Sequence, residues 1–171
     1  MKPLKTKRLV VRQFTRQDAG FILDILNQPS FLSQIGDRGV RTLQDAENYL
    51  QKGPMESYTR HGFSLFLVEL KGNQTAIGMC GLIKRETLQD VEIGFAFLPQ
   101  YWSHGYALEA ASAVLAYGLE ELKSERITAI VLPGNERSIH LLEKLGLKYE
   151  RMITWQEDGA ELKLFSTGGQ N

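Results

Sequence analysis

The sequence lacks several residue patterns that would assign it to a specialised class of protein. It contains a single cysteine, Cys80, which excludes an internal disulfide and any cysteine-based metal cluster. Its three histidines, His61, His104 and His140, do not have the spacing of a metal site, so we expect no metal. Lysine plus arginine (20) equals aspartate plus glutamate (20), and this balance does not indicate a nucleic-acid partner.

Long hydrophobic runs are also missing. No apolar run approaches the roughly 20 residues of a membrane-spanning helix, and residues 1–9 lack the apolar segment of a signal peptide. We therefore expect a cytoplasmic protein without a membrane partner. The 171 residues, 43% hydrophobic and 23% charged, have a composition typical of one globular domain, which we place at residues 1–171.

Short apolar runs bounded by turn residues predict seven strands. The predicted strands are 6–14, 62–70, 75–84, 88–98, 126–132, 147–155 and 160–165. Glu157–Gly159 is expected to join the last two strands as a hairpin. Gly78 and Gly81 inside the third strand indicate bulges or close packing. Residues 168–171 are expected to fray.

Four helices are predicted between these strands. The first two begin at the capping boxes Thr15–Asp18 and Thr42–Asp45 and end at Pro29 and Gly53–Pro54, with residues 30–41 as a loop. The resulting order is β-α-α-β-β-β-α-β-α-β-β. Three successive strands precede the third helix without a crossover, which excludes a doubly wound nucleotide-binding fold.

The most informative part of the sequence is residues 91–118, where a strand, a glycine loop and an alanine-rich helix follow one another. Alternate strand residues form two faces, one with Val91, Ile93, Phe95 and Phe97 and the other with Glu92, Gly94, Ala96 and Leu98. The first N–H groups of a helix lack intrahelical partners and, with the helix dipole, favour an anion. Residues 102–107 are therefore predicted to hold a phosphate or pyrophosphate. The alternative is a strand–glycine–helix connection without a ligand.

A second informative segment, residues 135–146, follows the strand at 126–132. Asn135 can cap the next helix with its side chain, which is a sufficient structural reason for its presence. Ser138 lies one turn into that helix, where serine has little local advantage. Its hydroxyl is therefore a candidate functional group near the ends of two neighbouring strands. Gly146 is predicted to end the helix.

Together these segments resemble the GNAT family of acetyl-CoA-dependent N-acetyltransferases. The family's phosphate-loop pattern, Gln/Arg-x-x-Gly-x-Gly/Ala, appears as Trp102-Ser-His-Gly105-Tyr-Ala107, in which the first position departs from the pattern. The sequence is most similar to the ribosomal-protein-alanine acetyltransferase-like (RimJ/RimL-type) branch. That similarity lies in four blocks in the same order, at residues 6–12, 92–95, 102–110 and 135–147.

The resemblance implies an α/β (α+β) fold around a central mixed, mostly antiparallel sheet of six to seven strands with about four flanking helices. The sheet is expected to splay between the strands at 91–98 and 126–132, with Gly94 and Pro99 suiting a bulged strand. The pantetheine arm of acetyl-CoA would lie in the splay. The implied cofactor-binding residues are Ala96, Phe97 and Leu98 through their main chain, Ser103, His104, Gly105, Tyr106 and Ala107 at the pyrophosphate, and Asn135 and Ser138.

The reaction implied by the resemblance is acetyl transfer to a primary amine, either a protein N-terminus or a small amine, by direct attack in a ternary complex. The amine needs a base, for which Glu92 is the first candidate and Glu161 the second, acting through water. Many family members have a tyrosine that acts as the general acid at the position where this sequence has Leu142. Ser138 is therefore the candidate proton donor to the thiolate, with Tyr149 as the alternative.

Two other functions stay open. A CoA-binding regulatory module with little or no turnover is compatible with the missing tyrosine. Another type of nucleotide-binding enzyme is disfavoured, because the sequence lacks Gly-x-Gly-x-x-Gly and Gly-x-x-x-x-Gly-Lys. The protein is expected to be a monomer or a homodimer.

Overall fold

A computed structural model describes residues 1–168, so most of the predicted fraying at 168–171 lies outside the described residues. In this range eight strands form one sheet: β1 (Leu4–Lys5), β2 (Leu9–Arg12), β3 (Leu65–Leu70), β4 (Ala76–Ile83), β5 (Val91–Phe97), β6 (Ile127–Val131), β7 (Lys148–Thr154) and β8 (Glu161–Ser166). The same range contains six α-helices: α1 (Ala19–Leu26), α2 (Pro29–Gln34), α3 (Leu43–Leu50), α4 (Glu56–His61), α5 (Tyr106–Ala116) and α6 (Glu136–Lys144). None of them is long and apolar enough to cross a membrane.

The strands lie in the order β1-β2-β3-β4-β5-β6-β8-β7. Every neighbouring pair is antiparallel except β5 and β6, which are parallel. The predicted mixed, mostly antiparallel sheet is therefore confirmed, with eight strands rather than six or seven. The additional strand is β1, whose two residues are too few to show a hydrophobic period.

The parallel pair β5–β6 separates soon after it forms. Its ladder consists of Val91↔Ile127 and Glu92↔Thr128. Beyond that point β5 continues to Phe97 and β6 to Val131 without pairing to each other. The sheet is thus splayed at the predicted position, and a cleft opens between two neighbouring strands.

Each face of the sheet has its own hydrophobic core. On one face Ile93 and Phe97 pack with Val114 of α5. On the other face Met79 and Leu98 pack in a cluster that contains residues of α1 and α3. The alternation predicted for residues 91–98 therefore places successive β5 side chains in opposite cores.

Glycines inside β4 allow close packing, and the register of the β3–β4 pair also shifts between Val68 and Glu69, beside Gly78. A Cβ atom on Gly81 would lie 2.2 Å from the carbonyl oxygen of Ser64, and one on Gly78 would lie 2.4 Å from Cδ1 of Phe97. The bulge predicted around Gly94 is wrong for the β4–β5 pair, whose register is unbroken from Glu92 to Phe97.

Two helix ends differ from the prediction, and both involve proline. Pro29 begins α2 instead of only ending α1, because the fixed φ of proline suits the first position of a helix. The expected loop at 30–41 is accordingly wrong over residues 30–34. Pro54 lies within a π-helical segment, Gln51–Met55, which joins α3 to α4. The wider turn tolerates a residue without an N–H, so the helical path ends only at Gly62, with a φ of 81°.

Candidate active site

The loop before α5 presents unpaired N–H groups at the mouth of the cleft. Ser103 and Gly105 have positive φ angles of 61° and 79°, which turn the chain from the end of β5 into the helix. The hydrogen bond from Glu109 N to Gly105 O opens the helical ladder, and no side chain caps the helix. The N–H groups of its first turn are therefore available to an anion.

An ion pair ties this loop to the N-terminal strand. The carboxylate of Glu109 accepts hydrogen bonds from Thr6 Oγ1 at 2.6 Å, from the main-chain N–H of Arg8 at 2.7 Å and from Arg8 Nε at 2.7 Å. Arg8 Nη1 donates to the carbonyl oxygen of His104 at 2.9 Å, and its guanidinium lies 4.5 Å from the ring centre of Tyr106. Burial raises the pKa of Glu109, but the donors from Thr6 and Arg8 outweigh it and hold this pKa below its ordinary value.

Trp102 joins the end of β5 to the start of α6. Its indole Nε1 donates to the carbonyl oxygen of Phe97 at 2.9 Å. The guanidinium of Arg137, in the first turn of α6, lies 4.3 Å from the Trp102 ring centre. His104 stacks on Tyr106 with 5.6 Å between the ring centres. The loop at residues 102–105 is therefore held from both sides of the cleft.

The register of β5 decides which main-chain groups face the cleft. The N–H of Leu98 donates to the carbonyl oxygen of Ile77 at 3.0 Å, so it is already paired on the β4 side. Because main-chain directions alternate along a strand, the groups of Ala96 also face β4. The predicted main-chain contacts of Ala96 and Leu98 are thus wrong. The N–H groups of Phe95 and of Phe97, the third predicted contact, face the cleft, whereas the carbonyl oxygen of Phe97 already accepts from Trp102.

Asn135 and Ser138 lie at the start of α6, beyond the end of β6. Asn135 Oδ1 accepts a hydrogen bond from Ser138 N at 3.2 Å, which confirms the predicted cap. The hydroxyl of Ser138 makes no hydrogen bond to another group within residues 1–168, and the residue is half-buried. Leu142 is 1% exposed and packs in the core.

Glu92 is the last residue of β5 that pairs with β6, and it is 4% exposed. It shares a face of the strand with Ala96 and Leu98, which pack in the core beneath α1 and α3. Arg85 Nε donates to Glu92 Oε2 at 2.5 Å. Burial raises the pKa of Glu92, and Arg85 and Arg38 oppose this effect without cancelling it. The result is a carboxyl group with a raised pKa near the point where the strands diverge.

Comparison with known proteins agrees with this geometry. Residues 8–148 match the family described as Acetyltransferase (GNAT) domain. The chain belongs to the GNAT acetyltransferase family. It is 31% identical over 147 residues to YnaD, an uncharacterized N-acetyltransferase of Bacillus subtilis, a match that covers 86% of this chain and 83% of that protein.

Solved structures show the same GNAT fold. A GNAT-family acetyltransferase from Bacillus anthracis is 29% identical, covers 96% of each chain and has a TM-score of 0.79. A RimL ribosomal L7/L12 α-N-protein acetyltransferase in complex with coenzyme A has a TM-score of 0.83 at 12% identity, over 96% of this chain and 97% of that one. The family and its acyltransferase activity are therefore as the sequence predicted.

Glu161, the second candidate base, and Tyr149, the alternative proton donor, lie away from the cleft between β5 and β6. Glu161 is exposed and accepts a hydrogen bond from Thr154 Oγ1 at 2.6 Å, across the β7–β8 hairpin. Tyr149 is 52% exposed on β7, which is separated from β6 by β8. The structure does not bring either residue to the divergence of β5 and β6. No group of three or more metal-ligating side chains occurs among the described residues.

Three arginines near the GNAT site were not singled out from the sequence. Arg8 belongs to the predicted block at residues 6–12, in which the sequence assigns no role to a single side chain. Arg137 lies inside the predicted block at 135–147, although only Asn135 and Ser138 were selected there. Arg85 belongs to no motif, so the sequence carried no signal for its pairing with Glu92.

Proposed function

We propose that this chain transfers an acetyl group from acetyl-CoA to a primary amine, by direct attack within a ternary complex. The observation that carries the proposal is the separation of β5 from β6 beside the uncapped N-terminus of α5. The first feature offers room and unpaired main-chain groups to an extended amide chain. The second offers N–H groups to its diphosphate. The coenzyme A complex of a protein with the same fold agrees with this use of the fold.

Coenzyme A fits the groups that this chain presents. Its pantetheine amides would pair with the cleft-facing main chain of Phe95, as an added strand does, and the N–H of Phe97 would face the thioester. The diphosphate would be bound by the N–H groups of residues 103–107, and Gly105 permits the close approach. Asn135 and Ser138 lie beyond the end of β6, on the far side of the cleft. Bound acetyl-CoA supplies the thioester that the amine attacks.

Glu92 is proposed as the general base, acting through a water molecule. An attacking amine must be neutral, whereas an N-terminal amine has a reference pKa of about 7.7–8.0 and lysine about 10.4. A carboxylate with a raised pKa accepts a proton more readily than an ordinary one. Glu161, the second candidate, is exposed and bonded within its hairpin. The structure therefore favours Glu92 over Glu161.

Ser138 is proposed as the proton donor to the departing thiolate. Its hydroxyl is free of protein partners within the described residues, and its helix borders the cleft. The main-chain N–H of Phe97 faces the same cleft and would stabilise the negative charge that develops on the carbonyl oxygen. We propose a protein N-terminus or a small amine as the acceptor, and the cytoplasm as the place of action.

Replacement of Gly105 by valine tests the phosphate site. Gly105 has a φ of 79°, and a Cβ atom there would lie 3.3 Å from Arg8 Nη2. We expect the Kd for CoA to rise by about tenfold or more, since strain in this conformation and displacement of Arg8 would both disturb the loop. Gly72→Val is the matched control, because Gly72 also has a positive φ, of 94°, but lies in the β3–β4 turn.

The measurements are CoA binding by calorimetry and thiol release from acetyl-CoA with a panel of amine acceptors. Weakened binding in Gly105→Val alone, together with acceptor-dependent thiol release by the unmodified protein, supports the proposal. Equal CoA affinity in the unmodified protein, Gly105→Val and Gly72→Val would contradict the proposed phosphate site. CoA binding without thiol release for any acceptor would instead indicate that the chain is a CoA-binding regulatory module with little or no turnover.

A further inference from the structure

Arg85 uses only part of its hydrogen-bonding capacity. A guanidinium has five N–H donors in a planar fork. Within residues 1–168, Arg85 donates from Nε to Glu92, and neither of its Nη groups donates to a protein acceptor. The side chain is 27% exposed, so the unused donors can reach a ligand. Two parallel N–H groups on one guanidinium match the geometry of a carboxylate.

Neighbouring residues hold this guanidinium in place. Its centre lies 5.1 Å from the ring centre of Trp155, at the end of the β7–β8 hairpin. Lys84, the preceding residue, donates from Nζ to the carbonyl oxygens of Leu88 and Gln89 and so braces the 84–90 loop. Because Glu92 and Trp155 fix the orientation of Arg85, its free edge is preorganised for a ligand.

A second arginine adds positive charge to the same region. Arg38, between α2 and α3, forms no salt bridge in the described part of the chain, whereas nearby Arg41 pairs with Asp37 at 2.5 Å. Arg38 and Arg85 both lower the pKa of Tyr49, although burial raises it on balance. Both also act on Glu92, as described above. Both arginines therefore contribute positive charge at Glu92.

We propose that the acceptor is an amine that also carries a carboxylate close to its nitrogen, and that Arg85 binds this carboxylate through its Nη groups. The inference rests on the proposed function, because it takes Glu92 as the base that receives the amine's proton. A free α-amino acid is the simplest molecule with this chemistry. Polyamines are disfavoured, because their additional cations would lie beside Arg85 and Arg38. Arg85 is thus a residue that determines acceptor specificity.

The test compares acceptors that differ only in charge. Each α-amino acid is assayed against its amide and its decarboxylated amine. Peptides with Asp or Glu as the second residue are assayed against peptides with Asn or Gln at that position. Spermidine is included as a polyamine. We expect the best carboxylate acceptor to exceed its amide by about tenfold or more in kcat/KM, as for a hydrogen-bonded charge pair. The acceptor with the largest ratio of kcat/KM, acid over uncharged counterpart, identifies whether the protein binds a free or a peptide-borne carboxylate.

Two variants assign the preference to Arg85. Arg85→Met should abolish the acid-to-amide ratio, and Arg85→Lys should retain part of it. The ratio is informative even if Arg85→Met slows every acceptor by disturbing Glu92. Arg60→Met is the matched control, because Arg60 also pairs with a glutamate, Glu56 at 2.9 Å, but lies on α4. A ratio near one in the unmodified protein, or an unchanged ratio in Arg85→Met, would overturn the inference.

A binding measurement separates this inference from the proposed function. N-acetyl amino acids and their amides are titrated by calorimetry into the protein with CoA present. Tighter binding of the acid by about tenfold, lost in Arg85→Met, supports the carboxylate site even if no acceptor is turned over. Equal binding of acid and amide overturns it. Thiol release without any preference for acids would leave the acetyltransferase proposal intact while refuting the acceptor class.

Discussion

At the scale of single residues, the balance between burial and ion pairing at Glu92 decides how this carboxyl group can act. Burial raises its pKa, while Arg85 and Arg38 oppose the effect without cancelling it. A base must be deprotonated, so activity should rise as the pH passes upward through this raised pKa. The same shift means that the stability contributed by protonated Glu92 is present at low pH and is lost as the pH rises through the folded-state pKa.

Replacement of Glu92 by glutamine should remove the base while keeping the size of the side chain. We expect kcat/KM to fall by about 10²–10⁴-fold, and the acidic limb of the pH–rate profile to disappear. In the unmodified protein that limb should lie above the ordinary glutamate range. Stopped-flow or thiol-release assays between pH 5 and 9 measure both effects. Glu161→Gln, with its exposed carboxylate, should leave the profile unchanged, and the same loss in both variants would argue against Glu92.

Ser138 can be tested without disturbing its helix. The cap of α6 uses the main-chain N–H of Ser138 and the side chain of Asn135, so Ser138→Ala keeps the cap. If the hydroxyl donates the proton to the thiolate, kcat should fall by about 10²-fold with little change in the Kd for CoA. Ser138→Thr retains a hydroxyl and should recover part of the rate. Full turnover by Ser138→Ala would exclude this role.

At the scale of secondary-structure elements, the ion pair of Arg8 and Glu109 joins the residue before β2 to the first turn of α5. The pair also holds the loop before α5, where we propose that phosphate binds, because Arg8 bonds the carbonyl oxygen of His104. The pKa of Glu109 is depressed on balance, so its stabilising effect is present above the unfolded-state pKa. That effect is lost as the pH falls through the folded-state pKa. CoA affinity should therefore weaken in acid.

Glu109→Gln should loosen the phosphate loop more than it destabilises the fold. We expect CoA affinity to fall by about tenfold, because one partner of a hydrogen-bonded charge pair is removed. Glu69→Gln is the matched control, since Glu69 pairs with Arg12 at 2.7 Å in a similar half-buried setting on β3. Denaturant unfolding and CoA titration of both variants separate the effects. Equal loss of CoA affinity in the two would show that Glu109 acts only through stability.

Elements with a strong local signal were predictable from the sequence, whereas those set by tertiary contacts were not. The capping box at Thr42–Asp45 and the glycine end of α6 at Gly146 both formed as expected, because each signal acts within one helical turn. Pro29 and Pro54 differ from the prediction, since proline can end one helix, begin another or occupy a π turn depending on what packs around it. The pairing of Arg85 with Glu92 connects a loop to a strand and has no local pattern.

At the scale of the whole molecule, the two halves of the sheet share one hydrophobic core but little main-chain pairing. Strands β1 to β5 form an antiparallel set, and β6, β8 and β7 form another. The link between them is the short β5–β6 ladder of two residue pairs. Contacts between α5 and α6, and the stacking of Arg137 on Trp102, add to this link. A ligand bound in the cleft would therefore connect the two halves.

Coenzyme A should accordingly stabilise the fold and protect the cleft from exchange. At 100 times its Kd a ligand adds about 2.7 kcal/mol, which for a chain of this size raises Tm by about 5–10 °C. The main-chain N–H groups of Phe95 and Phe97 face the cleft, so their hydrogen exchange should slow most. Differential scanning calorimetry and exchange measured by NMR test these expectations, with Gly105→Val as a variant that loses both effects. A rise in Tm without protection at Phe95 and Phe97 would place the ligand elsewhere, because only a molecule between β5 and β6 can shield those two amides.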